Sequence, residues 1–145
     1  MIKTFRGVLP DDSQNRIRLS TKKGKVGYRI VHFMIMPATP MDGSDQQAVV
    51  KLYKITQPSN TFTVDFADGN LLAAATQQGN SGNVYQQTIM FDKEIFNQDI
   101  FITYRDNASG DAINYYLELE TMPLTDNAAA VSTLRDIRLN PQVGA

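Results

Sequence analysis

The chain has no cysteine and only one histidine, His32, among its 145 residues. Without cysteine there is no disulfide framework, no thiolate nucleophile and no cysteine-ligated zinc or iron–sulfur centre. A single imidazole also leaves a zinc site almost nothing to draw on. The expected setting is a reducing compartment, or a cytoplasm from which the protein is released by lysis. No run of eighteen apolar residues occurs, so no membrane-spanning helix is expected. The opening MIKTFRGVLPDD has no apolar h-region and does not read as a secretory signal. A glycine-rich phosphate loop is missing too, because Gly24, Gly27 and the Gly79/Gly82 pair lack a strand-to-helix context. There is no internal repeat and no low-complexity tract.

What is present is an ordinary globular composition, 42% hydrophobic, with a formal net charge of −1. That length and content suit one domain, 1–145, able to bury about two-thirds of its unfolded surface. The charge is unevenly placed. Residues 1–30 hold eight bases (Lys3, Arg6, Arg16, Arg18, Lys22, Lys23, Lys25, Arg29) against Asp11 and Asp12. The rest of the chain holds six bases against thirteen acids. Such asymmetry suits copies that attract one another head to tail, or docking on an acidic partner, while a solvated positive face is the plain alternative. The overall acidity argues against a dedicated nucleic-acid binder.

Period-two patterning dominates up to about residue 122. Met1–Val8 reads as a strand, followed by the turn Leu9-Pro10-Asp11-Asp12-Ser13. In Asn15–Ser20, Ile17 and Leu19 face one way and Arg16 and Arg18 the other. Lys22-Lys23-Gly24-Lys25 is a basic turn with Gly24 expected at positive φ. Val26–Met36, VGYRIVHFMIM, is apolar on both faces past Arg29 and predicts a central strand covered on both sides. Pro37 to Ser44 breaks it. Ala48–Ile55 is a further strand with Lys51 outward, and Phe62–Phe66 a short one. Over Asp68–Thr76 the alanines and leucines favour helix while the length suits a strand, and both readings stand. Gln86–Phe91 is a strand, and two more flank the polar run Asp106-Asn107-Ala108-Ser109-Gly110-Asp111, read as a hairpin. After Pro123, Thr125 or Asp126 caps a short helix over about 126–138, with Val131, Leu134 and Arg138 on one side. Eight or nine strands about ten residues apart, then one helix, predict an all-β protein: a β-sandwich of jelly-roll type.

No constellation of residues points to catalysis. His32 sits in the most apolar strand, where a histidine is usually structural. Glu118 and Glu120 share a face with Tyr116, a weak match to the paired acids of a glycosidase. They more simply keep an outer sheet face wet while Tyr115, Leu117 and Leu119 fill the core. The oxygens of Asp106–Asp111 are of the kind calcium takes, but their spacing does not match a twelve-residue calcium loop, and the same residues build ordinary turns. No catalytic residue, cofactor or metal ligand is therefore assigned. A glycan-binding surface, with Tyr85, Tyr104 or Tyr116 stacking on sugar rings, is the alternative from a different functional class.

Three segments carry a resemblance: Phe91-Asp92-Lys93-Glu94-Ile95-Phe96-Asn97-Gln98-Asp99-Ile100, Asn114-Tyr115-Tyr116-Leu117-Glu118-Leu119-Glu120, and the closing Thr133-Leu134-Arg135-Asp136-Ile137-Arg138. With Lys3-Thr4-Phe5-Arg6-Gly7 and Gly27-Tyr28-Arg29-Ile30, most of the chain resembles small structural proteins of marine tailed phages. The resemblance implies a virion component made in the host cytoplasm, with no enzymatic activity. Its implied partners are further copies of itself and a major capsid or tail protein. Decoration or cementing of the head is the role expected first, and an adhesion role at the tail or fibre the alternative. The contact surfaces expected are the basic residues Arg16, Arg18, Lys22, Lys23 and Lys25 and the helix residues Val131, Leu134 and Arg138.

Overall fold

The structure is a computed structural model that describes residues 1–39, 45–80, 83–108 and 110–139; for residues 80, 83, 126 and 135–139 only the backbone is described. Among the described residues there are eight strands and one helix: β1 (Ile2–Leu9), β2 (Ser13–Ile17), β3 (Val26–Pro37), β4 (Gln46–Tyr53), β5 (Leu71–Asn80), β6 (Asn83–Met90), β7 (Ile100–Asp106), β8 (Ile113–Pro123) and α1 (Asp126–Leu139). They form a β-sandwich of two antiparallel sheets. One has three strands in the order β1-β8-β3, the other five in the order β2-β7-β4-β5-β6.

This is the order of a rolled-up hairpin. Early strands pair with late ones, β1 with β8 and β2 with β7, and the roll closes at β4 with β5. The fourth pair of such a roll, β3 with β6, is not a ladder here. β6 is bonded to β5 instead, and a side chain bridges the corner: Gln86 Nε2 donates to the Ile35 carbonyl at 2.9 Å. That bridge ends a row of amides, buried at Gln46 and Gln77 and exposed at Gln86. Gln77 Nε2 donates to Gln46 Oε1 and Gln86 Nε2 to Gln77 Oε1, both at 3.0 Å. Each amide satisfies the next, so the row costs little to bury and fixes the spacing of the sheets.

One core lies between the sheets. Ile30, Phe33, Ile35, Leu117 and Leu119 of the small sheet meet Val50, Leu52, Ala73, Ala75, Ile102 and Tyr104 of the large one. Tyr115 leans over Gly7, whose absent Cβ would lie 2.9 Å from the ring, so glycine is needed for this close approach.

β3 is not the central, doubly covered strand that its sequence predicts. It is the edge of the small sheet, and His32, Met34 and Met36 point outward and are exposed. The reason is a β-bulge between Ile30 and His32. Before it Tyr28 and Ile30 face the core; after it Phe33 and Ile35 do. A phase change of one residue makes both parities look apolar when read as an unbroken strand.

Other expectations shift for similar reasons. Lys51, expected outward, is on the outer face of the large sheet but only 2% exposed, because the connection 54–70 folds over it. Its Nζ donates to the Thr63 carbonyl at 2.7 Å and to Thr61 Oγ1 at 3.1 Å. Phe62–Phe66 belongs to this connection and is not a strand. Asp68–Thr76 resolves into a turn and the start of β5. The Asp106–Asp111 run is no hairpin: β7 and β8 lie in different sheets, so it crosses between them.

Candidate interaction surfaces

Two surfaces gather exposed apolar and charged residues, while Phe66, Val84 and Tyr85 stand exposed elsewhere on connection 54–70 and β6. The first is the outer face of the small sheet. The register sets up cross-strand rows of outward residues: Arg6–Tyr116–Met34, Val8–Asn114–Met36 and Thr4–Glu118–His32. Val8 is 56% exposed, Met34 48% and Met36 58%. With Arg6, Asn114 and Tyr116 they line an open groove of about 510 Å³. Monomer surfaces seldom gather apolar side chains in this way without a partner. The other half of the face is polar. Tyr116 donates its hydroxyl to Glu118 Oε1 at 2.8 Å, and that carboxylate pushes the Tyr116 phenol above its ordinary range. His32 meets the Tyr116 ring edge-on at 6.2 Å, and Arg29 pairs with Glu120. The expectation that Glu118 and Glu120 wet an outer face while Leu117 and Leu119 fill the core matches this arrangement.

The second surface joins the basic β2–β3 connection to α1. Thr125 caps the helix, its Oγ1 accepting from the Ala128 N–H at 3.1 Å. α1 is seated through small and polar residues rather than a large apolar stripe: Ala129 and Ser132 are buried, while Val131 and Leu134 are 66% and 56% exposed. The seat is Asn97, fully buried, whose Nδ2 donates to Thr133 Oγ1 at 2.7 Å and to the Gly24 carbonyl at 3.0 Å. Gly24 has φ of 64°, as its turn position requires. Lys23, Lys25, Ala129, Ala130, Thr133 and Leu134 line a groove of about 430 Å³.

The expected contact residues thus fall into groups. Lys23, Lys25 and Leu134 come together in one groove, with Lys22 exposed in the same turn and Val131 exposed on the helix. Arg18 is exposed at the start of this connection. Arg16 is turned elsewhere, 5.5 Å over the Phe101 ring and 3.9 Å from Asp99. Arg138 has its side chain outside the described residues. Sequence reasoning missed Val8, Met34, Met36 and Tyr116 as one apolar face. The signal was the surplus of apolar residues at 34 and 36 after the core parity had switched.

Asp99 underpins the basic connection. Burial works to raise its carboxyl, but the N–H groups of Ser20 and Leu19 on Oδ1 and the nearby Arg16 outweigh burial and hold it below the usual range. Across the sandwich, Asp106 Oδ1 accepts from the N–H groups of Gln47 and Ala108, each at 3.0 Å, and Asp11 Oδ1 accepts from the Asp106 N–H at 2.7 Å. These oxygens stitch loops together. Among the described residues no three of His, Cys, Asp and Glu gather as metal ligands would.

The three tyrosines named for sugar stacking are dispersed over the fold. Tyr104 is fully buried, donating its hydroxyl to the Asp111 carbonyl at 2.6 Å, and burial with Asp106 nearby raises its phenol strongly. Tyr85 is exposed on β6, in the large sheet, and Tyr116 is half-buried on β8, in the small one. No single face carries all three, and Tyr104 is withdrawn from contact with a ligand by its burial.

Fold and surfaces together define a jelly-roll β-sandwich with open apolar and charged faces. No known protein family matches the chain, and no curated protein does. Among solved structures, the crystal structure of a decameric BFDV capsid protein aligns with 83% of this chain and 96% of that one, at 11% identity and a TM-score of 0.18. A likeness that slight carries no argument about this protein.

Proposed function

We propose that this protein is a virion structural protein of a tailed phage, one that decorates or cements the head through protein–protein contacts. The observation that carries the reading is the outer face of the small sheet. Val8 on β1 and Met34 and Met36 on β3 stand exposed on the two strands that flank β8, on one sheet face, which suits a docked neighbour better than water. The resemblance of the Phe91–Ile100 and Asn114–Glu120 segments to marine phage structural proteins points the same way. In this reading the chain acts by contact, without catalysis or cofactor. Its neighbours are further copies and a major capsid or tail protein, and its place is the particle.

The experiment is mass spectrometry and electron microscopy of purified particles. Stoichiometric presence with density on the head supports the reading. Absence from washed particles overturns it, and density confined to the tail moves the protein to an adhesion or tail-completion role.

A further inference from the structure

Between Asp68 and Asp92 the chain has no charged residue, and between Lys54 and Lys93 it has no base. That stretch builds β5 and β6, the last pair of the large sheet, with β6 at its edge. Edge strands are ordinarily guarded by charge, lysine above all, and β6 carries none.

The register places Thr76 opposite Gln87 and Gln78 opposite Tyr85. Ala73, Ala75 and Gln77 face the interior, so these four side chains stand on the outer face of the sheet. Tyr85 is 70% exposed, and Gln78 and Gln87 are exposed with it. Together with Val84 and Gln86 they line an open groove of about 520 Å³. Among the described residues the side chains of Thr76, Gln78, Tyr85 and Gln87 have no hydrogen-bond partner, although the neighbouring Gln77 and Gln86 are both bonded.

Two carboxamides and a hydroxyl, each able to donate and accept, thus stand beside an exposed ring. A pyranose presents the matching groups, hydroxyls around its edge and C–H groups on its face. Other occupants match less well. A nucleic acid or an acidic polysaccharide calls for bases, and neither strand has one. A protein partner is held by a desolvated apolar centre, whereas amides make up the middle of this groove. A strand added at the β6 edge meets the Gln86 side chain, which already crosses to the Ile35 carbonyl of β3.

We propose that the outer face of β5 and β6 binds a neutral glycan. Tyr85 stacks on one sugar ring while Gln78, Gln87 and Thr76 hydrogen-bond the hydroxyls around it. The site lies on the opposite sheet from Val8, Met34 and Met36, so it goes beyond the proposed attachment and does not depend on it. A copy attached through the small sheet would turn this groove outward.

A printed array of neutral and acidic oligosaccharides, probed with the full chain, tests it. The expected result is binding to neutral glycans that is unchanged between about 50 and 500 mM salt, since no ion pair contributes. Tyr85→Ala weakens that binding about tenfold, as loss of a stacked ring does. Gln78→Ala/Gln87→Ala weakens it at least as much. All three residues are exposed, so both variants keep the β fold by circular dichroism. Wild-type signal on neutral glycans no higher than that of Tyr85→Ala overturns the proposal. So does binding that survives both variants, or that is confined to acidic glycans and lost at high salt. Wild-type dimers in sedimentation velocity that Tyr85→Ala dissolves, with no glycan bound, would give the groove to a second copy and overturn it as well. The two claims fail separately: a virion protein that binds no glycan sinks only this site, and a glycan binder absent from particles sinks only the proposed function.

Discussion

Asn97 Nδ2 donates to Thr133 Oγ1 at 2.7 Å and to the Gly24 carbonyl at 3.0 Å, so one buried amide ties the terminal helix to the basic turn. The helix has little else to hold it, since Ala129 and Ser132 bury small side chains while Val131 and Leu134 face out. Replacing Asn97 by alanine removes the donor and strands buried acceptors, which costs about 2–3 kcal/mol. The expected outcome is selective: amide exchange speeds up in α1 and in residues 22–25 while the β4–β5–β7 ladder stays protected. Uniform loss of protection would show that Asn97 supports the whole fold and not this seat alone.

The acid response should run through Asp99. Its carboxyl is held below 3.8 by hydrogen bonds from Ser20 and Leu19 and by Arg16, which together overcome burial. A depressed carboxylate contributes stability that is complete above the unfolded-state value and lost as pH falls through the folded one. Stability of the wild type therefore declines from about pH 4 downward. Asp99→Asn keeps an acceptor for both N–H groups but no longer titrates. Its urea midpoint is lower at neutral pH, and the gap to the wild type narrows as pH falls. A gap that holds constant from about pH 7 to 3 would contradict the assignment.

At the other extreme, alkali should act on the buried phenols. Tyr104 is raised strongly by burial and by Asp106, and Tyr28, Tyr53 and Tyr115 are raised by burial too. A phenol whose folded value exceeds its unfolded one contributes stability present below about pH 10 and lost as pH rises further. Tyr104→Phe leaves the Asp111 carbonyl without its 2.6 Å donor and costs about 1 kcal/mol at pH 7. The same variant loses less stability than the wild type between about pH 9 and 11, which urea denaturation followed by circular dichroism reads directly. Equal alkaline losses in both proteins would place the effect on other groups.

Most of the architecture was legible because period-two alternation survives wherever one sheet face is wet. Ile17 and Leu19 inward with Arg16 and Arg18 outward, and Leu117 and Leu119 inward with Glu118 and Glu120 outward, are cases in point. Alternation misled where something intervened between sequence and face. The bulge before His32 switched the parity of β3 and disguised an exposed edge strand as a buried centre. The connection 54–70 folded over Lys51, so a residue on the outer parity became interior. Neither event leaves a local mark, because each depends on contacts distant in sequence. The Asp106–Asp111 run misled differently: its turn chemistry is real, but turn residues do not report whether the next strand joins the same sheet. For the surfaces, charge clustering brought out Lys22, Lys23 and Lys25, whereas the apolar face of Val8, Met34 and Met36 needed the register of three strands.

That apolar face yields the last prediction. Met34 and Met36 are about half exposed and contribute little to the core, so Met34→Thr/Met36→Thr should change stability by no more than about 0.5 kcal/mol. Threonine keeps strand propensity at both positions, so the β3–β8 ladder is retained. If the face receives a neighbour in the particle, the variant folds normally yet falls at least tenfold in copies per particle when it is the only version supplied during assembly. Full incorporation of the double variant would remove the outer face of the small sheet from the contact surfaces. It would leave the groove between the β2–β3 connection and α1 as the remaining candidate for attachment.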